Sequence, residues 1–166
     1  MLLNAAGIGR IGRGVRITGD VTITGRDRVV LGDNVHIGTG GFIRAEGGLT
    51  IGDNTHISRN LLLYTMNHDI EGDALPYDSA QVPRSVVIGR NVWIGMNVCI
   101  APGTTIGDGA VIAMGTVVSG TVPPMTMVAS QPWRVIGERD VDHYEHLDTE
   151  GRYGGSGGKP LRSIVS

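Results

Sequence analysis

The sequence predicts an all-β fold, a left-handed parallel β-helix of about five coils, and three observations carry that prediction. Aliphatic residues recur at every sixth position, glycine is abundant at 27 residues while phenylalanine occurs once, and Gly or Asn follows the aliphatic residue at a fixed phase. Bulky β-branched residues mixed with glycine favour extended chain with tight corners over helix.

The aliphatic register runs Ile11, Ile17, Ile23, then Leu31, Ile37, Ile43, then Ile51, Ile57, Leu63, and resumes as Ile88, Ile94, Ile100, Ile106, Ile112, Val118. A six-residue period matches neither the 3.6 of an amphipathic helix nor the alternation of a surface strand. It fits a short extended segment followed by a sharp corner, repeated so that each aliphatic side chain points into a narrow prism. The fifth position holds small or apolar residues, among them Val35, Thr55, Val92, Val98, Thr104 and Ala110, which can share that interior. Turn chemistry comes from GDN (Gly32 to Asn34, Gly52 to Asn54), GRN (Gly89 to Asn91) and GDG (Gly107 to Gly109).

Ile11, Leu31 and Ile51 are each 20 residues apart, so three hexapeptides make one coil and extra residues enter at one recurrent corner. The large interruption, Leu63 to Ile88, falls there too. Five coils at strand spacing give a column roughly 24 Å tall. Short coils bury little individually, so stacking and oligomerisation must supply stability. The β-helix is expected over residues 1–136 with an excursion loop at 69–87. A polar segment, with a short polar helix between Ile136 and Glu150, and a Gly/Ser-rich tail follow over 137–166.

A formal charge of −2 over 166 residues argues against a nucleic-acid partner. Cys99 is the single cysteine and cannot form an internal disulfide. With no signal peptide or apolar run of spanning length read in the sequence, the expectation is a cytoplasmic protein with no membrane partner.

Chemistry is expected where the scaffold departs from economy. His68 takes the sixth, outward position at the neck of the one long loop, DIEGDALPYDSAQVPRSVV, and Asn67 breaks the small-or-apolar pattern of the fifth. Long excursions on rigid scaffolds tend to be functional. An imidazole there can take a proton from an attacking hydroxyl or amine. Asp69, Glu71 and Asp73 are each able to orient it, and spacing does not choose among them. His36, His56, Trp93 and Val111 should form one outward column, and Phe42, Leu62, Cys99 and Val117 a second, apolar one that reads as subunit interface. The Trp suggests contact with a ligand or neighbouring subunit. His36 and His56 are two ligands where zinc needs three or four, so a surface or interface role is preferred to metal binding. His143 and His146 fall in the polar C-terminal segment and are read as solvated. Gly7, Gly9 and Gly12 satisfy GxGxxG, but that fingerprint works between a strand and a helix, whereas Ile11 already belongs to the hexapeptide register.

The segment Val86 to Ile136 resembles the hexapeptide-repeat acyltransferase superfamily, in its xenobiotic, galactoside and maltose acetyltransferase branch. The resemblance is carried by NVWIG (Asn91 to Gly95), IAPGTTIGDGAVI (Ile100 to Ile112), Pro123 with Pro124, and QPWRVI (Gln131 to Ile136). It implies an acetyltransferase that moves an acetyl group from acetyl-CoA to a hydroxyl, ahead of an amine, of a sugar or related small acceptor. His68 of MNHDI matches that branch's general base, and the acceptor would meet Asn67, Asp69 and Trp93. Met96, Met114, Ser119 and Arg134 match its donor contacts. The resemblance further implies a homotrimer with coenzyme A between subunits, direct attack without an acyl-enzyme at Cys99, and no metal. The chain departs from the branch at VSGTVPP, where Gly120 stands in place of the usual lysine, which shifts phosphate contacts to Arg134, Arg139 or Arg84. It also lacks the branch's helical N-terminal extension, so acceptor identity does not carry over.

Two other readings compete. A γ-class carbonic anhydrase shares fold and trimer, but its H-x-x-x-x-H zinc ligands are missing. A non-catalytic scaffold would share the fold alone; binding of acetyl-CoA separates it from an enzyme.

Overall fold

A computed structural model of the chain describes residues 6–130 and 137–152. The chain divides into two compact units, Met1–Ser130 and Gln131–Ser166. In the first, very short strands stack in parallel on three faces, as a left-handed β-helix. The first face carries Arg10–Ile11, Val29–Leu31, Leu49–Ile51, Val86–Ile88, Thr105–Ile106 and Thr121–Val122. The second carries Arg16–Ile17, His36–Ile37, His56–Ile57, Trp93–Ile94, Val111–Ile112 and Met127–Val128. The third carries Thr22–Thr24, Phe42–Arg44, Leu62–Tyr64, Cys99–Ile100 and Val117–Val118.

The aliphatic register is the core. From Leu31 to Val118 every member of it is buried, and side chains such as Ile37, Leu63 and Ile94 are essentially inaccessible. Each such side chain contributes roughly 1.5 to 3 kcal/mol by leaving water. Fifth-position residues share the prism as expected: Val35, Val92, Val98 and Ala110 are fully buried, and so are Thr55 and Thr104. A buried hydroxyl needs a partner. Thr55 Oγ1 donates to the Gly89 carbonyl at 2.8 Å, and Thr104 Oγ1 to that of Ala101 at 2.7 Å.

The corners explain the Gly-Asp-Asn triplets. Asn34, Asn54 and Asn91 all adopt positive φ, 55° to 57°, a conformation Asn tolerates better than other side chains. The Asn34 amide donates to Asn54 Oδ1 at 3.1 Å, and Asp33 Oδ1 receives the Arg13 N–H of the preceding coil at 2.8 Å. Two of the GxGxxG glycines are packing residues: a Cβ on Gly12 would lie 2.4 Å from the Gly32 backbone, and one on Gly9 would meet the Asp27 carbonyl.

The stack is nearly one coil longer than the five expected. Val122 pairs beside Ile106, and Met127–Val128 beside Val111–Ile112. Val122 follows Val118 by four positions and not six, so the sixth coil drops out of the hexapeptide register and Val122 is an inward core residue of that coil. The excursion also starts earlier than residue 69. The chain leaves the coil at Met66–His68, which pairs antiparallel with Gln81–Pro83, and Val86 and Val87 are already back in the first face.

In the second unit, the helix Val141–Thr149 falls within the expected polar helix. Asp140 caps it, its carboxylate accepting the His143 N–H at 2.9 Å, and it has no buried residue. His146 and Glu150 form an exposed pair across one turn. Among the described residues, no helix is long and apolar enough to cross a membrane.

Candidate active site

His68 ends the first strand of the antiparallel ribbon, register-paired with Gln81. It does not stand free at a corner: it is half-buried, and its ring stacks on Tyr77 with centroids 3.8 Å apart and planes 18° apart. Nδ1 is buried and has no hydrogen-bond partner. None of the three acids named from sequence forms a hydrogen bond or ion pair with the ring. The Asp69 carboxylate caps its own turn by accepting the Glu71 N–H at 3.0 Å, Glu71 is exposed, and the Asp73 N–H points to Asp78. The acid whose charge acts on His68 is Asp78. Its carboxylate is held below the usual range, first by the Asp73 N–H, then by the Ala80 N–H, and further by the His68 imidazole. Tyr77 and Asp78 both lie in the excursion loop. Sequence spacing alone did not select them, because the loop must fold back before they meet the histidine.

The ribbon is tied to the coils through Gln81, whose side-chain oxygen accepts from Arg44 at 3.0 Å. Asn67 is exposed on the ribbon beside His68, opposite Val82.

A second set of residues meets on the second face. Register places Arg16, His36, His56, Trp93, Val111 and Met127 in one column, the predicted one extended at both ends. Trp93 is 60% exposed, and with Met96, Val111, Met114 and Met127 it lines a largely apolar groove of about 600 Å³. Ser58 and Arg59 complete its edge. Met96 and Met114, 18 residues apart, come together because that is the length of this coil. Arg59 and Met127 were not singled out from sequence; Met127 belongs to the coil that left the register. His68 is not among the residues that line this groove.

The segment 85–120 matches the family model described as bacterial transferase hexapeptide, six repeats. A hexapeptide-repeat-containing acetyltransferase from Vibrio cholerae superposes with a TM-score of 0.69 at 29% identity, covering 78% of this chain and 73% of that one. The maltose O-acetyltransferase from Clostridium difficile 630 is 33% identical, with a TM-score of 0.68, over 78% of this chain and 68% of that one. The chain belongs to the hexapeptide-repeat acyltransferases. Likeness to the N-acyltransferase AntD from Bacillus cereus, at 22% identity and a TM-score of 0.59 over 90% and 92% of the two chains, extends to the fold. No curated protein sequence matches significantly.

For a hexapeptide-repeat acyltransferase, the geometry groups the expected residues unevenly. Trp93, Met96 and Met114 share a groove. Ser119 is exposed at the corner after Val117–Val118, and Arg134 lies outside the described residues. Arg84 anchors the ribbon base through its backbone, its N–H donating to the Thr65 carbonyl at 2.7 Å, and Arg139 covers the ring of Tyr144. His36 and His56 stack face to face, centroids 4.2 Å apart and planes within 10°, an arrangement that does not converge ring nitrogens on one ion. Among the described residues there is no group of three or more His, Cys, Asp or Glu able to hold a metal.

Proposed function

We propose that this protein transfers an acetyl group from acetyl-CoA to a hydroxyl, in preference to an amine, of a sugar or related small acceptor in the cytoplasm. The observation that carries the reading is the meeting of Trp93, Met96 and Met114 in one open apolar groove, which suits the uncharged arm of the donor. The Vibrio relative binds acetyl coenzyme A in one of its structures, which supports the same donor here. Ser119 and Arg134 would add contacts to the donor, the guanidinium to phosphate oxygens.

His68 acts as general base. With Nδ1 enclosed, Nε2 takes the proton from the acceptor hydroxyl as its oxygen attacks the thioester carbonyl carbon. The C–S bond then breaks, and the imidazolium returns the proton to the departing thiolate. Tyr77 fixes the ring plane, and Asp78 stabilises the transient imidazolium. Asn67, Asp69 and Trp93 border the acceptor. Positioning and one proton transfer are sufficient sources of rate, and Cys99 has no covalent role.

Within one chain His68 stands on the ribbon and does not line the Trp93 groove, so the working site is completed between copies in a homotrimer. The column Phe42, Leu62, Cys99 and Val117 supports that assembly, with Phe42, Leu62 and Val117 apolar and exposed. The test is calorimetric titration with acetyl-CoA, followed by a thiol-release screen of sugars, amino sugars and sugar derivatives. Binding of acetyl-CoA, with Trp93→Ala weakening it, is expected; absence of binding would overturn the reading in favour of a scaffold.

A further inference from the structure

Next to the Trp93 groove, the same face carries a second groove of about 520 Å³, whose lining mixes polar and apolar groups where the first is almost wholly apolar. Arg16, His36, His56 and Ser58 line it, and Trp93 borders both grooves. The three basic side chains come from three successive coils in strict register, so strand spacing sets them roughly 4.8 Å apart along the column. No carboxylate lines this groove, and the Arg16 guanidinium forms no ion pair with a described residue. Elsewhere on the coils the exposed arginines Arg13 and Arg90 each pair with an aspartate, Asp33 and Asp108.

A guanidinium with no ion pair, beside two imidazoles and with no carboxylate in the groove, is suited to an anion. Arg16 presents a planar fork that grips two oxygens of phosphate or carboxylate, and the Ser58 hydroxyl can donate from the adjacent corner. His36 is biased toward its neutral form by its surroundings. Burial first, and then the charges of His56 and Arg16, hold His36 below the usual histidine range. A bound anion would reverse that repulsion and favour protonation. A metal cation is the wrong partner, since Arg16 repels it and the imidazoles stack face to face.

We infer that the Arg16–His36–His56 groove binds the anionic group, phosphate or carboxylate, of the acceptor, so that the hydroxyl acylated belongs to a sugar phosphate or sugar acid and not to a neutral sugar. The acceptor assignment rests on the acyl-transfer reading above; the binding of an anion does not.

The trimer or monomer as it exists, labelled with 15N at histidine, is titrated separately with glucose 1-phosphate, glucuronate and glucose. One or both anions should move the His36 and His56 imidazole signals, glucose should not, and the anion that binds more tightly identifies phosphate or carboxylate as the group read. Arg16→Ala should weaken that anion roughly tenfold or more, Arg16→Lys should restore part of it, and acetyl-CoA affinity should be unchanged in both. Signals unmoved by both anions, equal response to glucose, or Arg16→Ala binding as wild type would overturn the anion site. Anion binding in a protein that does not bind acetyl-CoA would leave the site and overturn its role as acceptor site.

Discussion

Removing the base is the sharpest test of the chemistry. His68→Ala should lower kcat by roughly 100-fold to 10,000-fold, the usual worth of a positioned proton acceptor, or about 3 to 5 kcal/mol of barrier. Its effect on the fold should be small for reasons visible around the ring. Loss of the Tyr77 stack costs about 0.5 to 1.5 kcal/mol, but the change also removes Nδ1, a buried nitrogen without a partner whose desolvation penalty is about 1 to 3 kcal/mol. The two nearly offset, so Tm should move by only a few degrees. The assay is thiol release from acetyl-CoA with the acceptor on which wild type is fastest, with acetyl-CoA affinity measured alongside by calorimetry. Tyr77→Ala should cost kcat about tenfold through misplacement of the ring. Combined with His68→Ala it should add nothing, since a positioning residue has no effect once the base is gone. Cys99→Ser should remain active. Near-normal turnover in His68→Ala, a parallel collapse of acetyl-CoA affinity, or a dead Cys99→Ser would refute direct attack assisted by His68.

Other consequences follow from burial and charge. Ile94→Ala, at a position with 0% exposure, should destabilise by about 2 to 5 kcal/mol and lower Tm by roughly 5 to 20 °C. Ile11→Ala, in the same repeat position but 43% exposed in the terminal coil, should cost less than about 1 kcal/mol; equal losses in calorimetry would contradict the stacked-prism core. The depressed titration of His36 means the folded state prefers the neutral ring. That stability is complete above the ordinary histidine value of about 6.5 and is lost as pH falls below it, so urea midpoints should decline on acidification and His36→Gln should flatten the decline. Sedimentation should show a trimer, and Val117→Asp, at a 70% exposed position of the apolar column, should dissociate it; a wild-type monomer at micromolar concentration would sink the shared site.

The fold was legible because it is a local code repeated. Each hexapeptide carries its inward residue, its small companion and its corner, and none of these depends on residues far along the chain. Stacking then follows from the 20-residue spacing of Ile11, Leu31 and Ile51, which are adjacent strands of the first face. The code stops being readable where the six-residue spacing itself breaks, after Val118. Ile88 to Ile106 spans 18 residues and Ile106 to Val122 only 16, and the second contraction hid the last coil.

The site divides along the same line. Met96 and Met114 were named through the resemblance and Trp93 through its outward column, and the regular coils, where register converts sequence offset into neighbourhood in space, bring the three to one groove. Tyr77 and Asp78 could not be placed in this way, because a loop has no such conversion. The ring partner of His68 depends on the ribbon pairing His68 with Gln81 and on the turn that Asp78 organises through the N–H groups of Asp73 and Ala80. Asp69, Glu71 and Asp73 were closer in sequence and equally acidic, yet turn geometry directs their carboxylates or backbones elsewhere. The same reasoning explains why Arg16 was passed over. It is unremarkable in its own hexapeptide, and it acquires meaning only as the first member of the column His36, His56 and Trp93, where successive coils bring a guanidinium and two imidazoles to one groove.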